Sequence, residues 1–316
     1  MNIGWCCPGV PPEPWFEALA RALPQARLHR WQDGDPATLD YALVWAPPQA
    51  FLDQQTRLRA VFNLGAGVDA LMRLRWPPGL PIVRLEDAGM AVQMAEYAVH
   101  ALVRHFRGFD HLEAAQARGE WTSPPPPQRS RFAVAVLGLG VLGTRVAQAL
   151  RAFEFPVHAW VQHPRGPQHP PVPEGVVLHV GPEGLAPCLQ ACTGLVCVLP
   201  LTPATRGLLN RHTLSLLRPG GHVVNVARGA HLVDADLLAL LDSGHLAGAT
   251  LDVFHTEPLP SDHPFWRHPQ VKVTPHCSAR TLRDESIQQL VGKLARAVQG
   301  EPLTALGGWV DPARGY

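Results

Sequence analysis

Val134-Ala135-Val136-Leu137-Gly138-Leu139-Gly140-Val141-Leu142-Gly143 is the stretch that decides the fold. Its first four residues end the apolar run 132–137 (FAVAVL), which reads as a short strand buried on both faces. Gly-x-Gly-x-x-Gly follows at once, and residues 144–153 then read as a helix. Strand, glycine turn and helix in that order open a dinucleotide-binding βαβ unit. Gly138 permits the tight turn, Gly140 lets the backbone approach a pyrophosphate, and Gly143 lets helix and strand close up. Val141 and Leu142 lie in the loop at the N-terminus of that helix, where unpaired N–H groups and the positive end of the helix dipole suit phosphate.

Downstream, residues 156–161, 195–199, 222–226, 248–253 and 271–274 read as further strands. Helices at 210–217 and 234–243 lie between them, the alternation of a doubly wound parallel sheet. Upstream, residues 3–7, 41–45, 59–64 and 81–85 read as strands and 15–23 as a helix, so a second parallel α/β unit precedes the first. Apolar residues at helical spacing predict one long helix over 92–118, and residues 119–131, with four prolines at 124–127, predict a surface loop. Residues 282–298 read as an amphipathic helix that carries the chain back to the first unit. The expected fold is α/β, with two Rossmann-like or flavodoxin-like parallel-sheet domains and a cleft between them. The boundaries fall at 98–283 for the dinucleotide domain and at 1–97 plus 284–316 for the substrate domain.

Composition narrows the function. With 316 residues, 46 % apolar and 17 % charged, the chain has material for two packed cores. A net charge of +1 offers no basic field for nucleic acid or an anionic membrane. No apolar run has the length of a membrane span, and no basic start with an apolar core marks a signal peptide. The six cysteines form no Cys-x-x-Cys and no zinc spacing. They read as free, small apolar residues, and the expected location is the reducing cytoplasm, with no metal.

The strand after the glycine loop selects the cofactor. An NAD site usually has Asp or Glu at that strand's tip, on the ribose hydroxyls. Here the tip reads Trp160-Val161-Gln162-His163-Pro164-Arg165. No carboxylate repels a 2′-phosphate, and Arg165, with Gln162 and His163, can bind one. NADPH is the expected cofactor, with NADH as the alternative.

Three titratable groups follow predicted strands: Arg228 in Asn225-Val226-Ala227-Arg228-Gly229, Glu257 in His255-Thr256-Glu257-Pro258, and His276 in Thr274-Pro275-His276. Carboxyl ends of parallel strands are where such sheets bind ligands. Reduction of a 2-oxo acid needs a hydride, a proton and a cation on the carboxylate. Histidine delivers protons near neutrality, a glutamate steadies the imidazolium, and an arginine makes paired hydrogen bonds to carboxylate and keto oxygens.

These segments resemble the D-isomer-specific 2-hydroxyacid dehydrogenase family. The resemblance is carried by GLGVLG (138–143), LPLTPATRGLLN (199–210), VVNVARGAHLVDADLLALL (223–241), LDVFHTEPLP (251–260) and VTPHCSA (273–279). It implies catalytic roles for Arg228, Glu257 and His276, and cofactor contacts from Leu199, Pro200, Thr202, Ala227 and Asp252. Asn63-Leu64-Gly65-Ala66-Gly67-Val68-Asp69 also matches, implying that Leu64, Gly65, Ala66 and Gly67 bind the substrate carboxylate through N–H groups. Asp87-Ala88-Gly89-Met90 and Gln93 to Tyr97 match the start of the long helix. Within the family the chain is similar to the glyoxylate/hydroxypyruvate reductase A subgroup, through Tyr41-Ala42-Leu43-Val44-Trp45, Arg84-Leu85-Glu86-Asp87 and the end at Val310 to Tyr316. The subgroup implies NADPH, reduction of glyoxylate and hydroxypyruvate, and a homodimer. Trp45, at a strand end, is then a candidate wall of the substrate pocket. Cys277-Ser278 depart from the small apolar residues many relatives carry after the histidine. Two other readings stay open: a dehydrogenase for a different 2-oxo acid, and a nucleotide-sensing protein without turnover.

Overall fold

A computed structural model describes residues 1–166 and 169–311, and in it the opening stretch is strand β6 (Val134–Leu137) followed by helix α5 (Val141–Ala152). Around β6 the sheet of the second unit has seven strands, all parallel: β7 (Val157–Val161), β8 (Val176–Val180), β9 (Gly194–Cys197), β10 (Gly221–Asn225), β11 (Leu246–Leu251) and β12 (Val271–Val273). Their order, β12-β11-β10-β9-β6-β7-β8, reverses direction between β6 and β9. That reversal is the switch point where such sheets bind dinucleotides. The alternation of strand side chains builds two cores. Val134 and Val136 pack with Val146 and Ala147 of α5 on one face; Ala135 and Leu137 pack with Cys188, Leu214 and Leu237 on the other. Those three lie on α6 (Pro182–Gln190), α7 (Arg211–Leu214) and α8 (Asp234–Asp242).

The first unit has β1 (Asn2–Cys6), α1 (Glu13–Ala22), β2 (Arg27–Arg30), β3 (Tyr41–Val44), α2 (Gln49–Gln54), β4 (Ala60–Asn63) and β5 (Ile82–Arg84). Its sheet is parallel in the order β2-β1-β3-β4-β5, the flavodoxin-like arrangement. Helix α9 (Arg283–Val298) completes its core, with Leu290, Val291 and Leu294 against Trp15 and Leu19.

The chain divides into Met1–Gly89 with the residues from Thr281 onward, and Met90–Arg280. The division comes earlier than the 97/98 expected because the start of α3 (Met90–Arg107), Met94 and Ala95 included, already packs in the second unit's core. The helix expected over 92–118 is two helices. Gly108, at φ +64, ends α3, and α4 (Phe109–Ala117) begins after it. Arg104 spans the break, donating to Asp110 and Glu113. Four elements were not expected. The edge strand β2 is largely polar, α2 is short, and β8 lies between proline-bearing stretches. Pro187 and Gly184 sit inside α6 and disguise it.

Five cysteines are buried and Cys277 is exposed, all with free thiols. Burial pushes Cys6, Cys188 and Cys197 up to about 12. No helix among the described residues is long and apolar enough to cross a membrane.

Burial also sets an acid limit on stability. His222, the second residue of β10, is 5 % exposed; its Nε2 meets Thr250 Oγ1 at 2.9 Å, while Nδ1 is buried with no hydrogen-bond partner. Burial, together with the His105 ring tilted against it at 4.4 Å, lowers its pKa to about 3. The unfolded chain therefore binds this proton first. Stability is complete above the ordinary histidine range near 6.5 and is lost as pH falls toward 3. We expect the urea midpoint to fall below pH ~6, at up to about 1.4 kcal/mol per pH unit. His222→Gln, which keeps a donor for Thr250, should flatten that slope; an equal slope in the variant would refute the assignment.

Candidate active site

The glycine loop has the geometry its sequence implies. Gly138 adopts φ +98, and a Cβ there would lie 2.9 Å from the Val198 carbonyl oxygen, across the switch point. At Gly143 a Cβ would lie 2.0 Å from Gly138 O, so only glycine lets α5 close onto the turn. At Gly140 a Cβ would meet nothing within 4 Å. The helix behind has no side-chain cap, so Val141 and Leu142 keep N–H groups free for an anion. Arg165 comes to the same loop: its guanidinium donates to Leu139 O and Pro170 O. Gln162 is half-buried and His163 exposed, and no carboxylate stands in residues 162–166. The loop after β9 is held by Thr205, whose hydroxyl donates to Pro200 O at 2.7 Å and accepts from Thr202 N at 2.8 Å. Leu199 is buried beside it. Free helix N–H groups and a nearby guanidinium fit a phosphorylated dinucleotide.

Arg228, Glu257 and His276 follow β10, β11 and β12, three neighbouring strands. His276 Nδ1 is 2.7 Å from Glu257 Oε2, and Glu257 Oε1 accepts from Phe254 N at 2.9 Å. The carboxylate thus holds the ring and its own turn at once, and the histidine's Nε2 edge is left for other work. Both side chains are partly exposed, at 44 % and 36 %, as groups that meet substrate must be. Arg228 is half-buried, and its Nη1 donates to Ala227 O at 2.6 Å. Ala227 N in turn donates to Asn225 Oδ1 at 3.2 Å.

The supports of these residues were the part sequence reasoning missed. Asp252, expected as a cofactor contact, is 0 % exposed, and its carboxylate accepts from Thr274 Oγ1 (2.5 Å), Cys277 N (2.9 Å) and Ser278 N (2.8 Å). Its backbone oxygen also accepts from His276 N at 2.9 Å. It therefore fixes the segment that carries His276, which adopts φ +50. Because Thr274 gives its proton to Asp252, Tyr97 must donate to Thr274 Oγ1, at 2.6 Å. Burial pushes the Tyr97 hydroxyl up to about 12, so the donor stays protonated. Gly229 was also overlooked. A Cβ there would lie 2.0 Å from the Phe254 carbonyl carbon, so the Arg228 and Glu257 turns touch backbone to backbone. His231, fully buried, places its two ring nitrogens 3.1 Å from Arg228 O and 3.2 Å from Pro200 O. In the sequence it shows only as a histidine three residues after Arg228. Cys277 flanks His276 and is exposed; its backbone, not its thiol, enters the Asp252 set. Among the described residues no cluster of His, Cys, Asp or Glu is arranged to hold a metal.

In the first unit the carbonyls of Gly65, Ala66 and Gly67 are held by side chains, whereas the Leu64 N–H expected to bind substrate donates instead to Val44 O at 3.0 Å, continuing the β3–β4 pairing. Asn63 Nδ2 donates to Gly65 O (2.8 Å) and Gly67 O (3.0 Å), and Arg84 Nη1 donates to Ala66 O (2.9 Å). Across planar trans peptides the N–H groups of Ala66, Gly67 and Val68 then point the other way, as in an anion nest. Trp45 is 42 % exposed and lies over Gly65, where a Cβ would fall 2.3 Å from its ring. Residues 312–316, part of the matching end of the chain, lie outside the described residues.

Comparison with known proteins adds three kinds of likeness. Residues 99–278 match the family model for D-isomer specific 2-hydroxyacid dehydrogenase, NAD binding domain. The chain is 44 % identical over 322 residues to glyoxylate/hydroxypyruvate reductase A of Serratia proteamaculans, covering 100 % of each. Among solved structures it resembles a D-isomer specific 2-hydroxyacid dehydrogenase of Xanthobacter autotrophicus Py2 in complex with NADPH and MES (TM-score 0.89, 39 % identity, 100 % and 99 % of the two chains). It is similar as well to an NADPH-dependent glyoxylate/hydroxypyruvate reductase of Sinorhizobium meliloti in complex with NADP and sulfate (TM-score 0.88, 33 % identity, 100 % and 99 %).

Proposed function

Because the chain belongs to the D-isomer-specific 2-hydroxyacid dehydrogenase family, we propose that it is an NADPH-dependent reductase converting glyoxylate to glycolate and hydroxypyruvate to D-glycerate. The observation that carries this reading is the His276–Glu257 pair at 2.7 Å, beside Arg228, at the carboxyl ends of strands in the sheet that also carries the glycine loop. The Serratia and Sinorhizobium relatives, aligned over the whole chain, supply the substrate class.

In this reading Gly138, Gly140, Gly143, Val141 and Leu142 cradle the pyrophosphate. Arg165, with Gln162 and His163, takes the 2′-phosphate, and Leu199, Pro200, Thr202 and Ala227 line the rest of the cofactor site. The nicotinamide, when bound, supplies the hydride. Arg228 pairs with the carboxylate and keto oxygens, which polarises the carbonyl. His276 gives its proton to the oxygen that becomes the hydroxyl, and Glu257 holds the imidazolium in line. The nest of Ala66, Gly67 and Val68 N–H groups takes the substrate carboxylate, and Trp45 walls the pocket. The proposed setting is a homodimer in the reducing cytoplasm. Free thiols suit that compartment, and the fully exposed Trp121, on the segment after α4, offers a second copy apolar surface to cover.

The test is a panel of 2-oxo acids with both cofactors. Glyoxylate and hydroxypyruvate should lead the panel, and kcat/KM should be at least about tenfold higher with NADPH than with NADH, about 1.4 kcal/mol. Arg165→Ala should narrow that ratio. Equal use of both cofactors by the unaltered enzyme would overturn the phosphate assignment. Cofactor binding without turnover of any 2-oxo acid would favour a sensor instead.

A further inference from the structure

The 64–67 loop is held by Arg84, and Arg84 is itself held at both ends of its backbone. Its N–H donates to Gly308 O at 2.8 Å, and its carbonyl accepts from Lys293 Nζ at 3.0 Å. Lys293, on α9, is 6 % exposed and shares its ammonium with Glu86 Oε2 at 3.3 Å. The late segment 307–310 lies antiparallel along β5: Val83 bridges Trp309, and Val310 N donates to Ile82 O at 2.9 Å. Gly308, at φ +68, makes this approach feasible, since a Cβ there would lie 2.3 Å from Arg84 O and 3.0 Å from Lys293 Nζ. Val310, 2 % exposed, anchors the segment in the core. One continuous set of contacts thus runs from the end of the described chain through Arg84 to Ala66 O.

We propose that segment 307–310 and Lys293 form a clamp that, through Arg84, presets the nest of Ala66, Gly67 and Val68 N–H groups for the substrate carboxylate. Arg84 is then a positioning residue for affinity. The inference rests on the reading of that loop as the carboxylate site. A nest binds an anion only while its carbonyls stay turned away, and Arg84 fixes the middle one. Losing that bond lets the Ala66 peptide rotate and present oxygen to the carboxylate, which weakens binding without touching the proton donor or the cofactor loop.

The experiment uses the full chain with Arg84→Met, Gly308→Val, the double variant and Ala66→Pro, which removes one nest N–H. KM and kcat are measured for glyoxylate and hydroxypyruvate, together with the NADPH Kd by fluorescence and the Tm. Each clamp variant should raise KM by about tenfold, keep kcat within about threefold and leave the NADPH Kd unchanged. The double variant should be no worse than the more severe single one, because both act along one set of contacts. Arg84→Gln, which keeps a donor for Ala66 O, should recover part of the loss. If Gly308→Val does not fold, Lys293→Met takes its place. Unchanged KM in the clamp variants while Ala66→Pro raises it would overturn the clamp alone, as would multiplying effects in the double variant. Unchanged KM in Ala66→Pro as well would overturn the reading of the loop, and the clamp with it.

Discussion

His276→Ala is expected to lower kcat for glyoxylate and hydroxypyruvate by about 10²–10⁴, the usual worth of a positioned proton donor. The NADPH Kd should stay within a few-fold, because the glycine loop lies after β6 whereas the ring lies after β12. The imidazole is held through Nδ1, by Glu257 Oε2 at 2.7 Å, so the substitution removes the donor and leaves the Asp252 framework intact. Glu257→Gln should act through the same ring. It keeps an acceptor for Phe254 N but no charge for the imidazolium, so kcat should fall by less than in His276→Ala. The double variant should be no slower than His276→Ala alone. Steady-state kinetics with equilibrium cofactor titration settles both points. An unaltered kcat in His276→Ala would remove this histidine from the mechanism.

Gly229→Ala is expected to do comparable harm without deleting any reacting group. The added methyl would lie 2.0 Å from the carbonyl carbon and 2.3 Å from the carbonyl oxygen of Phe254, both backbone atoms that cannot swing aside. The Arg228 turn must then move off the Phe254–Glu257 turn by an ångström or more. Displacement on that scale costs about 10² in rate when the groups must meet one substrate. The loss should appear in kcat/KM, with a fall in Tm from the broken backbone packing. Wild-type kcat/KM in a folded Gly229→Ala protein would show that the two turns need not touch.

What the sequence disclosed rests on the physics of parallel sheets. Each βαβ unit leaves its strand's carboxyl end open, so Gly138, Arg165, Arg228, Glu257 and His276 stand out as the residues just beyond successive apolar runs. The glycine assignments were legible because their reasons are steric and local: a positive φ at Gly138 and a closed approach at Gly143. The supporting residues were not legible, because their partners are remote in sequence. Thr274 meets Asp252 across 22 positions, and Tyr97 meets Thr274 across 177. No periodicity encodes such pairs. Gly229 looked like any residue of a motif until the opposing backbone was in view. The break at Gly108 was missed because one glycine in a helical pattern is ordinarily tolerated. The edge strands β2 and β8 escaped because partly exposed strands need no continuous apolar run.

The way the first unit gathers both ends of the chain has a consequence for biosynthesis. Its β-strands are made first, yet Leu290, Val291, Leu294 and Ala297 of its core are made about 200 residues after β5. Met90–Arg280 is continuous and holds its whole core within itself. On a ribosome adding about 5–20 residues per second, the later-coded unit can therefore mature first. The earlier-coded sheet waits, one apolar face uncovered, for its closing helix. During that interval the nascent chain is most exposed to chaperones and to aggregation.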